Sequence, residues 1–247
     1  MNGSASFDAR ATAARLPGWI RRRVRSAGAV GGVLGLSGGL DSAVVAGLVR
    51  RAFPDSTLGL ILPCESDPRD VDLARDVARE LAVTVRVVDL GPAYRALLGE
   101  IGPPGDGAAR RLPEGNLKAR LRMTCLYYHA NLLNYLVIGS GNRCELELGY
   151  FTKYGDGGVD LLPLARLVKS QVRKLGQQLG VPAAVLERPP TAGLWAGQTD
   201  EGELGLTYAE LDAYLLTGRG PRRVEDRARA LASRGRHKRQ LPPMPRR

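Results

Sequence analysis

Several widespread motifs are missing from this chain of 247 residues. No Gly-Lys dipeptide occurs, so there is no GxxxxGKS or GxxxxGKT phosphate loop, and no GxGxxG motif is present. The three cysteines, Cys64, Cys125 and Cys144, are too widely spaced for a disulfide framework or a CxxC metal pair. An apolar run of about 18 residues and a secretory signal are also lacking, so we expect a cytoplasmic protein with no membrane partner.

Aromatic residues are scarce, at 5% of the chain, whereas positive charge is abundant, with a formal net charge of +11. Much of this excess lies in residues 219–247, where 11 arginines and lysines face only Glu225 and Asp226. Such a basic tail is able to bind nucleic acid, to remain a solvated end, or to close over a phosphate-rich small substrate. Because few aromatic residues are available for base stacking, the tail gives little support for nucleic-acid binding.

Apolar runs alternate with amphipathic segments along the chain, a pattern typical of βαβ units. We predict strands at residues 29–36, 57–62, 83–90 and 135–138. We predict helices at residues 7–26, 40–53, 68–82, 92–101, 114–134 and 165–179. Glycine and proline predict a surface loop at residues 102–107, and a long aperiodic segment begins at residue 188. This order predicts an α/β fold, a doubly wound parallel sheet flanked by helices, in a single domain over residues 1–247.

The stretch LGLSGGLDSAVVAGL, residues 34–48, carries the first functional signal. An apolar strand ends in a Ser-Gly-Gly turn, residues 37–39, and passes through Asp41 and Ser42 directly into a helix. Main-chain N–H groups at a helix N-terminus are unpaired, and the helix dipole is positive there. A glycine turn at this position therefore predicts a binding site for phosphate groups. A second small-residue turn, residues 139–141, follows another predicted strand, where ligands of such sheets also gather.

The SGGxDS pattern resembles the signature of the N-type ATP pyrophosphatases, which cleave ATP between its α and β phosphates and pass AMP to an acceptor. Within that group the chain is similar to the ammonia-dependent NAD synthetase family over nearly its whole length. The segments that carry this resemblance are GNLKAR (115–120), the blocks at 139–172 and 188–212 that include FTKYGDGG and PPTAGLWAGQTDE, and HKRQLPPMP (237–245). The resemblance implies an adenine nucleotide alpha hydrolase-like, Rossmann-like fold. It also implies that ATP adenylates the nicotinate carboxylate of deamido-NAD and that ammonia then displaces AMP.

The same resemblance implies an ATP site on the glycine turn and on three side chains further along the chain. Its members are Gly35, Leu36, Ser37, Gly38, Gly39, Leu40, Asp41, Ser42, Ser140, Lys169 and Thr191. Mg²⁺ is implied on Asp41 and Glu145, and Lys169 is implied to reach the triphosphate. Because these cations neutralise charge where two polyanions approach each other, Asp41 and Lys169 are our first catalytic candidates.

A second implied site binds deamido-NAD. Its members are Arg120, Lys153, Asp160, His237 and Lys238. The tail at residues 219–247 is implied to cover the substrate, where its charge screens the dinucleotide phosphates. Asp156 is our third catalytic candidate, expected to receive ammonium or take its proton, since free ammonia is the nucleophile. The family also implies a homodimer, and we expect no nucleic acid as a partner.

The chain departs from the better-known bacterial members in one segment, LPCESDPRDVDLA, residues 62–74. Those members carry an arginine or histidine with a nearby glutamine there, against the adenosine of ATP, so no adenine contact is assigned in this chain. No amidase domain is recognisable, which predicts free ammonia as the nitrogen donor. Two alternatives stay open: another ATP pyrophosphatase, of the tRNA-modifying or GMP-synthetase-like kind, or a nucleic-acid-binding module that uses the basic tail.

Overall fold

A four-stranded parallel sheet forms the centre of the fold in a computed structural model that describes residues 7–102, 107–195 and 197–245, with only the main chain of residue 108. The strands are β1 (Gly31–Gly35), β2 (Thr57–Ile61), β3 (Thr84–Val87) and β4 (Tyr135–Val137). They lie in the order β3-β2-β1-β4, and Val33 of β1 pairs with Leu58 on one side and Val137 on the other. The direction of winding therefore reverses beside β1, and the carboxyl end of β1 lies where such sheets bind ligands.

The described residues also form α-helices on both faces of the sheet and beyond its edge. These are α1 (Ala9–Ser26), α2 (Leu40–Ala52), α3 (Pro68–Glu80), α4 (Gly91–Ile101), α5 (Gly107–Leu133), α6 (Arg143–Leu148), α7 (Lys169–Leu179), α8 (Ala183–Leu186), α9 (Asp200–Leu204), α10 (Tyr208–Thr217) and α11 (Arg222–Arg234). A 3₁₀-helix at Arg236–Arg239 follows α11. None of the helices described has the length and apolar character needed to cross a bilayer.

Two apolar cores hold helices against the two faces of the sheet. In the larger core, Ile20 of α1, Val44 of α2 and Leu175 of α7 are fully buried together. In the core on the opposite face, Leu60 of β2 packs with Tyr94 of α4 and with α5. Each large apolar side chain buried in this way stabilises the fold by about 1.5–3 kcal/mol.

A third, smaller core lies beyond the sheet and joins α6, α10 and α11. Leu148 of α6, Leu211 of α10 and Val224 of α11 are buried in it, together with Val168 just before α7. In this core, α10 and α11 pack against α6. This packing places the start of the basic tail beside the carboxyl ends of the strands.

The predicted α/β class and parallel sheet are confirmed, but some helix boundaries differ. Helix α7 begins at Lys169, four residues later than predicted, because residues 162–167 form two tight turns instead. Helix α5 begins at Gly107, seven residues earlier than predicted, and continues through Pro113 with the loss of one main-chain hydrogen bond. Most of the predicted loop at 102–107 lies outside the described residues. The aperiodic segment from residue 188 contains one short helix, α9.

Candidate active site

A cavity of about 800 Å³ opens at the carboxyl ends of β1, β2 and β4. It is lined by the turn after β1, by parts of α5 and α6, by residues 188–195, and by residues 234, 235, 237 and 238. The cavity lies beside the reversal of strand order, which is the usual ligand crevice of doubly wound sheets. Its volume suits a nucleotide-sized ligand.

The turn between β1 and α2 has the geometry of an anion site. Ser37 Oγ lies 3.1 Å from Ser42 Oγ, and Ser42 Oγ donates to the main-chain oxygen of Gly39 at 2.9 Å. Gly38 has a φ of +76°, and a Cβ there would lie 2.6 Å from the main-chain oxygen of Asp70, so only glycine fits. Gly39 is the N-cap of α2 and has no side chain to cap the helix, which leaves its first N–H groups at the cavity. The other predicted residues from Gly35 to Ser42 line the cavity.

Three charged side chains from three helices meet beside this turn. Lys169, the first residue of α7, forms an ion pair through Nζ with Asp41 of α2, and their side chains are 7% and 14% exposed. The second oxygen of Asp41 accepts a hydrogen bond from Asn142 Nδ2 at 3.2 Å. Glu145 of α6 faces this pair, and its Oε2 accepts the main-chain N–H of Asn142 at 3.1 Å. The structure thus brings together the predicted catalytic pair and both predicted metal ligands.

The charges of this centre are unbalanced. Burial and the neighbouring Asp41 raise the pKa of Glu145 from its ordinary 4.5 to about 8. Burial alone lowers the pKa of Lys169, but Asp41 and Glu145 together raise it above its ordinary value. One cation therefore faces two carboxylates, and Glu145 retains a proton unless a further positive charge arrives.

Asp41 and Glu145 fit a magnesium ion that completes its shell with substrate. Among the described residues, no group of three or more His, Cys, Asp or Glu side chains is arranged to hold a metal ion. Mg²⁺, however, commonly uses one or two carboxylates together with phosphate oxygens and water. Asp41, together with Glu145 once it releases its proton, supplies the protein's part of such a shell.

The remaining predicted ATP side chains, Ser140 and Thr191, also line the cavity. Ser140 is half-buried in the turn that follows β4. The Thr191 hydroxyl donates to the main-chain oxygen of Gln198 at 2.8 Å and accepts the N–H of Gly193 at 3.1 Å. In this structure the Thr191 hydroxyl therefore shapes its own loop, which an ion pair between Arg188 and Asp70 ties to α3.

Four of the five predicted deamido-NAD residues form one cluster. Arg120 Nη2 donates to the main-chain oxygen of Lys153 at 3.3 Å, and Lys153 Nζ donates to that of His237 at 2.9 Å. Lys238 Nζ donates to two further main-chain oxygens at 2.9 and 2.7 Å. The three cations thus contact neutral carbonyl oxygens rather than carboxylates in these bonds.

Asp160, the fifth predicted residue, is not among the described residues that line the cavity, and neither are Arg120 and Lys153 of the cluster. Its Oδ1 accepts the hydroxyl of Tyr127 at 3.0 Å, and its Oδ2 accepts the N–H of Val137 at 2.8 Å. Tyr127 and Arg120 are two turns apart on the same side of α5, a distance of roughly 10 Å along the helix. Asp160 therefore adjoins the side of α5 that carries Arg120 rather than the glycine turn.

Asp156 lines the cavity in the glycine-flanked loop that follows Phe151. Its Oδ1 accepts the main-chain N–H of Thr152 at 2.8 Å. The side chain is open to water in the cavity but surrounded by protein, and this burial raises its pKa, although Lys238 opposes the shift. The loop thus presents a proton-accepting group to the cavity.

Three further side chains of the site are absent from the sequence-based prediction. Asn142 is fully buried between Asp41 and Glu145, and it forms a capping box with Glu145 at the start of α6. The Asn-x-x-Glu spacing is a recognisable sequence signal for such a box. Asp200 is 4% exposed and accepts the hydroxyl of Tyr208 at 2.9 Å, which adds a third carboxylate near Lys169.

Arg122 is the third of these side chains and lies in the cavity on α5. Its Nε donates to the main-chain oxygen of Leu62 at 3.0 Å, and its Nη2 donates to Ser66 Oγ at 3.0 Å. Both acceptors belong to the segment at residues 62–74, where the sequence allowed no adenine contact to be assigned. No local pattern links Arg122 to that segment, because the two are about 60 residues apart in the chain.

Comparison with known proteins agrees with this geometry. Residues 12–242 match the sequence profile of the NAD synthase family. The NH(3)-dependent NAD(+) synthetase of Carboxydothermus hydrogenoformans is 48% identical over 231 residues, which are 94% of this chain and 95% of that protein. The solved structure of NMN synthetase from Francisella tularensis has a TM-score of 0.92 and 39% identity, and the match covers 97% of this chain and 99% of that one. The crystal structure of NAD+ synthetase from Burkholderia pseudomallei has a TM-score of 0.80 and 33% identity, over 96% of this chain and 92% of that one. The chain therefore belongs to the NAD synthase family.

Proposed function

We propose that this enzyme converts deamido-NAD to NAD in its cavity, with ATP and free ammonia as co-substrates. First, an oxygen of the nicotinate carboxylate attacks the α-phosphorus of ATP, a new P–O bond forms, and pyrophosphate leaves. Ammonia then attacks the activated carbonyl carbon, the C–N bond forms, a proton is lost, and AMP leaves. The predicted enzyme class, a ligase that forms C–N bonds, and ammonia-dependent NAD synthesis are confirmed by the family and its relatives.

The observation that carries the proposal is the meeting of Lys169, Asp41 and Glu145 beside the open N-terminus of α2. The N–H groups of that turn and the hydroxyls of Ser37 and Ser42 receive the departing pyrophosphate. Lys169 exchanges its Asp41 partner for a phosphate oxygen and balances charge that develops during transfer. Mg²⁺ held by Asp41 and Glu145, when bound, supplies Lewis-acid neutralisation of the triphosphate.

The second step needs an uncharged nitrogen nucleophile. Asp156 is the carboxylate that we assign to ammonium, because it lines the cavity and its recorded side-chain bond is to a main-chain N–H rather than to Lys169. Its raised pKa makes it a better proton acceptor than an ordinary aspartate. It therefore receives the proton whose loss turns ammonium into ammonia.

The cluster of Arg120, Lys153, His237 and Lys238 is proposed to hold the phosphates of the dinucleotide, and Asp160 is proposed to contact its more distant part. Lys153 and Lys238 both contact the main chain across more than 80 residues of sequence, so the start of the tail is held against the cavity. We propose that residues 1–247 form one domain and that the basic tail covers the bound substrate. In this position, the positive charge of the tail faces the phosphates of the bound dinucleotide.

A coupled assay tests the proposal. The protein is incubated with ATP, Mg²⁺, ammonium and deamido-NAD, and NAD is detected by a dehydrogenase, with each substrate omitted in turn as the control. We expect equal amounts of NAD and AMP, and no NAD when glutamine replaces ammonium. AMP release with a different acceptor, and none with deamido-NAD, would favour another ATP pyrophosphatase.

The mononucleotide that carries the same nicotinate carboxylate is a second candidate substrate. The solved NMN synthetase structure from Francisella tularensis has a TM-score of 0.92 with this chain and matches it over nearly its full length. Amidation of the mononucleotide would use the same ATP site and the same reacting carboxylate. The ratio of kcat/KM for the two acids decides between them, and we expect the dinucleotide to be preferred because Asp160 and Arg120 extend the site along α5.

We also propose a homodimer that buries the outer side of α5. Tyr128 and Leu132, one turn apart on that helix, are 65% and 66% exposed. Analytical ultracentrifugation tests this proposal, and replacement of Leu132 by Glu is expected to give a monomer. Cytoplasmic location stays a prediction from the sequence, and cell fractionation is its test.

A further inference from the structure

A buried carboxylate on α10 joins the helices that carry the reacting groups. Asp212 is 7% exposed. Its Oδ1 accepts the main-chain N–H of Lys169 at 3.1 Å and the thiol of Cys144 at 3.3 Å, and its Oδ2 accepts the N–H of Ser170 at 2.7 Å. Two of these donors form the first turn of α7, and the third belongs to α6. One side chain therefore connects α6, α7 and α10.

The carboxylate acts as the cap that α7 otherwise lacks. The N-cap residue of α7 is Val168, whose side chain has no hydrogen-bond acceptor. An ionised carboxylate at a helix N-terminus is favoured by the helix dipole and by charge-assisted bonds to the main-chain N–H groups. Asp212 supplies both effects at Lys169, the residue whose ammonium contacts Asp41.

Helix α10 contacts both the main chain and the side-chain ammonium of Lys169. Asp212 fixes the main chain, and the ring of Tyr208, the first residue of α10, lies 4.9 Å from Lys169 Nζ. Tyr208 and Asp212 are four residues apart, so they lie on the same side of α10. The hydrogen bond from the Cys144 thiol to Asp212 also connects α10 to α6, where Cys144 directly precedes Glu145.

We propose that Asp212 is a positioning residue for the adenylation step: its carboxylate sets the spacing between Lys169 and Glu145 that pyrophosphate release requires. The inference rests on the proposed function, since it takes Lys169 as a group that contacts the triphosphate. Misplacement of a reacting group by about 1 Å lowers a rate by roughly 100-fold, so the cap controls catalysis without touching substrate.

Asp212→Asn is the first test, because it keeps the size of the side chain but turns one acceptor oxygen into an N–H₂ donor that faces main-chain N–H groups. We expect kcat to fall by roughly 10- to 100-fold while KM for deamido-NAD and ammonia changes by less than about threefold. The matched control is Asp8→Ala, which removes the cap of α1, a 2.9 Å bond to the N–H of Ala11, at another part of the molecule. It weakens a helix N-terminus far from the reacting groups, and we expect kcat to stay within about twofold.

A double-mutant cycle separates positioning from general support of the fold. In the Lys169→Ala background, with AMP measured at long end points, we expect Asp212→Asn to lower the rate by less than about twofold, since the group it positions is gone. An equal loss in both backgrounds, or an Asp212→Asn enzyme with unchanged kcat, overturns the inference. If Asp212→Asn does not fold, Asp212→Glu is taken through the same cycle with the same criteria. Failure of the unmodified enzyme to make NAD would count against the proposed function instead.

Discussion

Replacing Glu145 by Gln should make the ion-free protein more stable while it removes the activity. Glu145 lies beside Asp41 and Lys169, and its Oε2 accepts the main-chain N–H of Asn142 at 3.1 Å. The amide oxygen of glutamine is able to keep that bond. The substitution therefore removes the carboxylate charge and leaves the capping interaction of α6 in place.

The size and sign of the effect follow from the pKa of Glu145, which burial and Asp41 raise from 4.5 to about 8. At a pH below the ordinary pKa, Glu145 is protonated in both the folded and the unfolded chain, and its titration has no effect on stability. At a pH between the ordinary and the raised pKa, only the unfolded chain has released the proton of Glu145. The free energy of unfolding of the unmodified protein therefore falls as pH rises. At about pH 7.5, roughly three units above the ordinary value, the loss is at most about 4 kcal/mol, and contact with cavity water reduces it to about 1–3 kcal/mol. Glu145→Gln removes this loss.

Urea unfolding in EDTA between about pH 5 and pH 8 measures the difference. We expect Glu145→Gln to be the more stable protein, with a gap that widens as pH rises. Addition of Mg²⁺ and ATP should stabilise the unmodified protein and reverse the order, because the variant lacks one of the two proposed ligands. Glu147→Gln, the same substitution at an exposed position of α6, is the control and should change neither quantity. A variant that is less stable at pH 8 in EDTA, or a gap independent of pH, would refute the reasoning.

Two further substitutions and one deletion test other parts of the site. Asp41→Ala should lower AMP formation from ATP and deamido-NAD by more than about 100-fold, and full activity with Mg²⁺ present would contradict its assignment. Gly38→Ala should lose about 1–3 kcal/mol of unfolding free energy and most ATP binding, because its Cβ meets the oxygen of Asp70 at 2.6 Å. Gly180→Ala, with a φ of +84° and no atom within 4 Å of the added Cβ, is its control for backbone strain alone. Deletion of residues 236–247 should raise KM for deamido-NAD by at least about tenfold through loss of Lys238, and an unchanged KM would argue against a tail that covers substrate.

The glycine turn could be predicted from the sequence because its chemistry is local. Two glycines, two serines and an aspartate lie within residues 37–42, and the strand and helix on either side follow from their apolar patterns. The positive φ of Gly38 and the uncapped start of α2 are direct consequences of those residue types. The partner of Asp41 is different: Lys169 lies 128 residues away, and only the family resemblance linked the two.

The contacts that escaped prediction join distant elements through packing. Asp212 caps a helix that begins 43 residues earlier in the chain, and Arg122 contacts a segment 60 residues before it. Neither contact leaves a periodic or motif signal, because each depends on how α5 and α10 pack against the sheet and the third core. Asp212 likewise caps α7 at Lys169, where the helix begins after the two turns of residues 162–167.

Under the proposed function, the present partners of the cations explain how one site accepts two polyanions. Arg120, Lys153 and Lys238 donate to neutral carbonyl oxygens, so we expect a substrate phosphate to replace neutral acceptors with a charged one. Lys169 is different, because its partner is the carboxylate of Asp41, and departure of Lys169 would leave that half-buried carboxylate without a cation. If Lys169 moves to a triphosphate oxygen as proposed, another positive charge has to take its place beside Asp41. Under the proposed function, we therefore expect ATP and Mg²⁺ to enter together, and we expect the dinucleotide to bind its cluster without a metal.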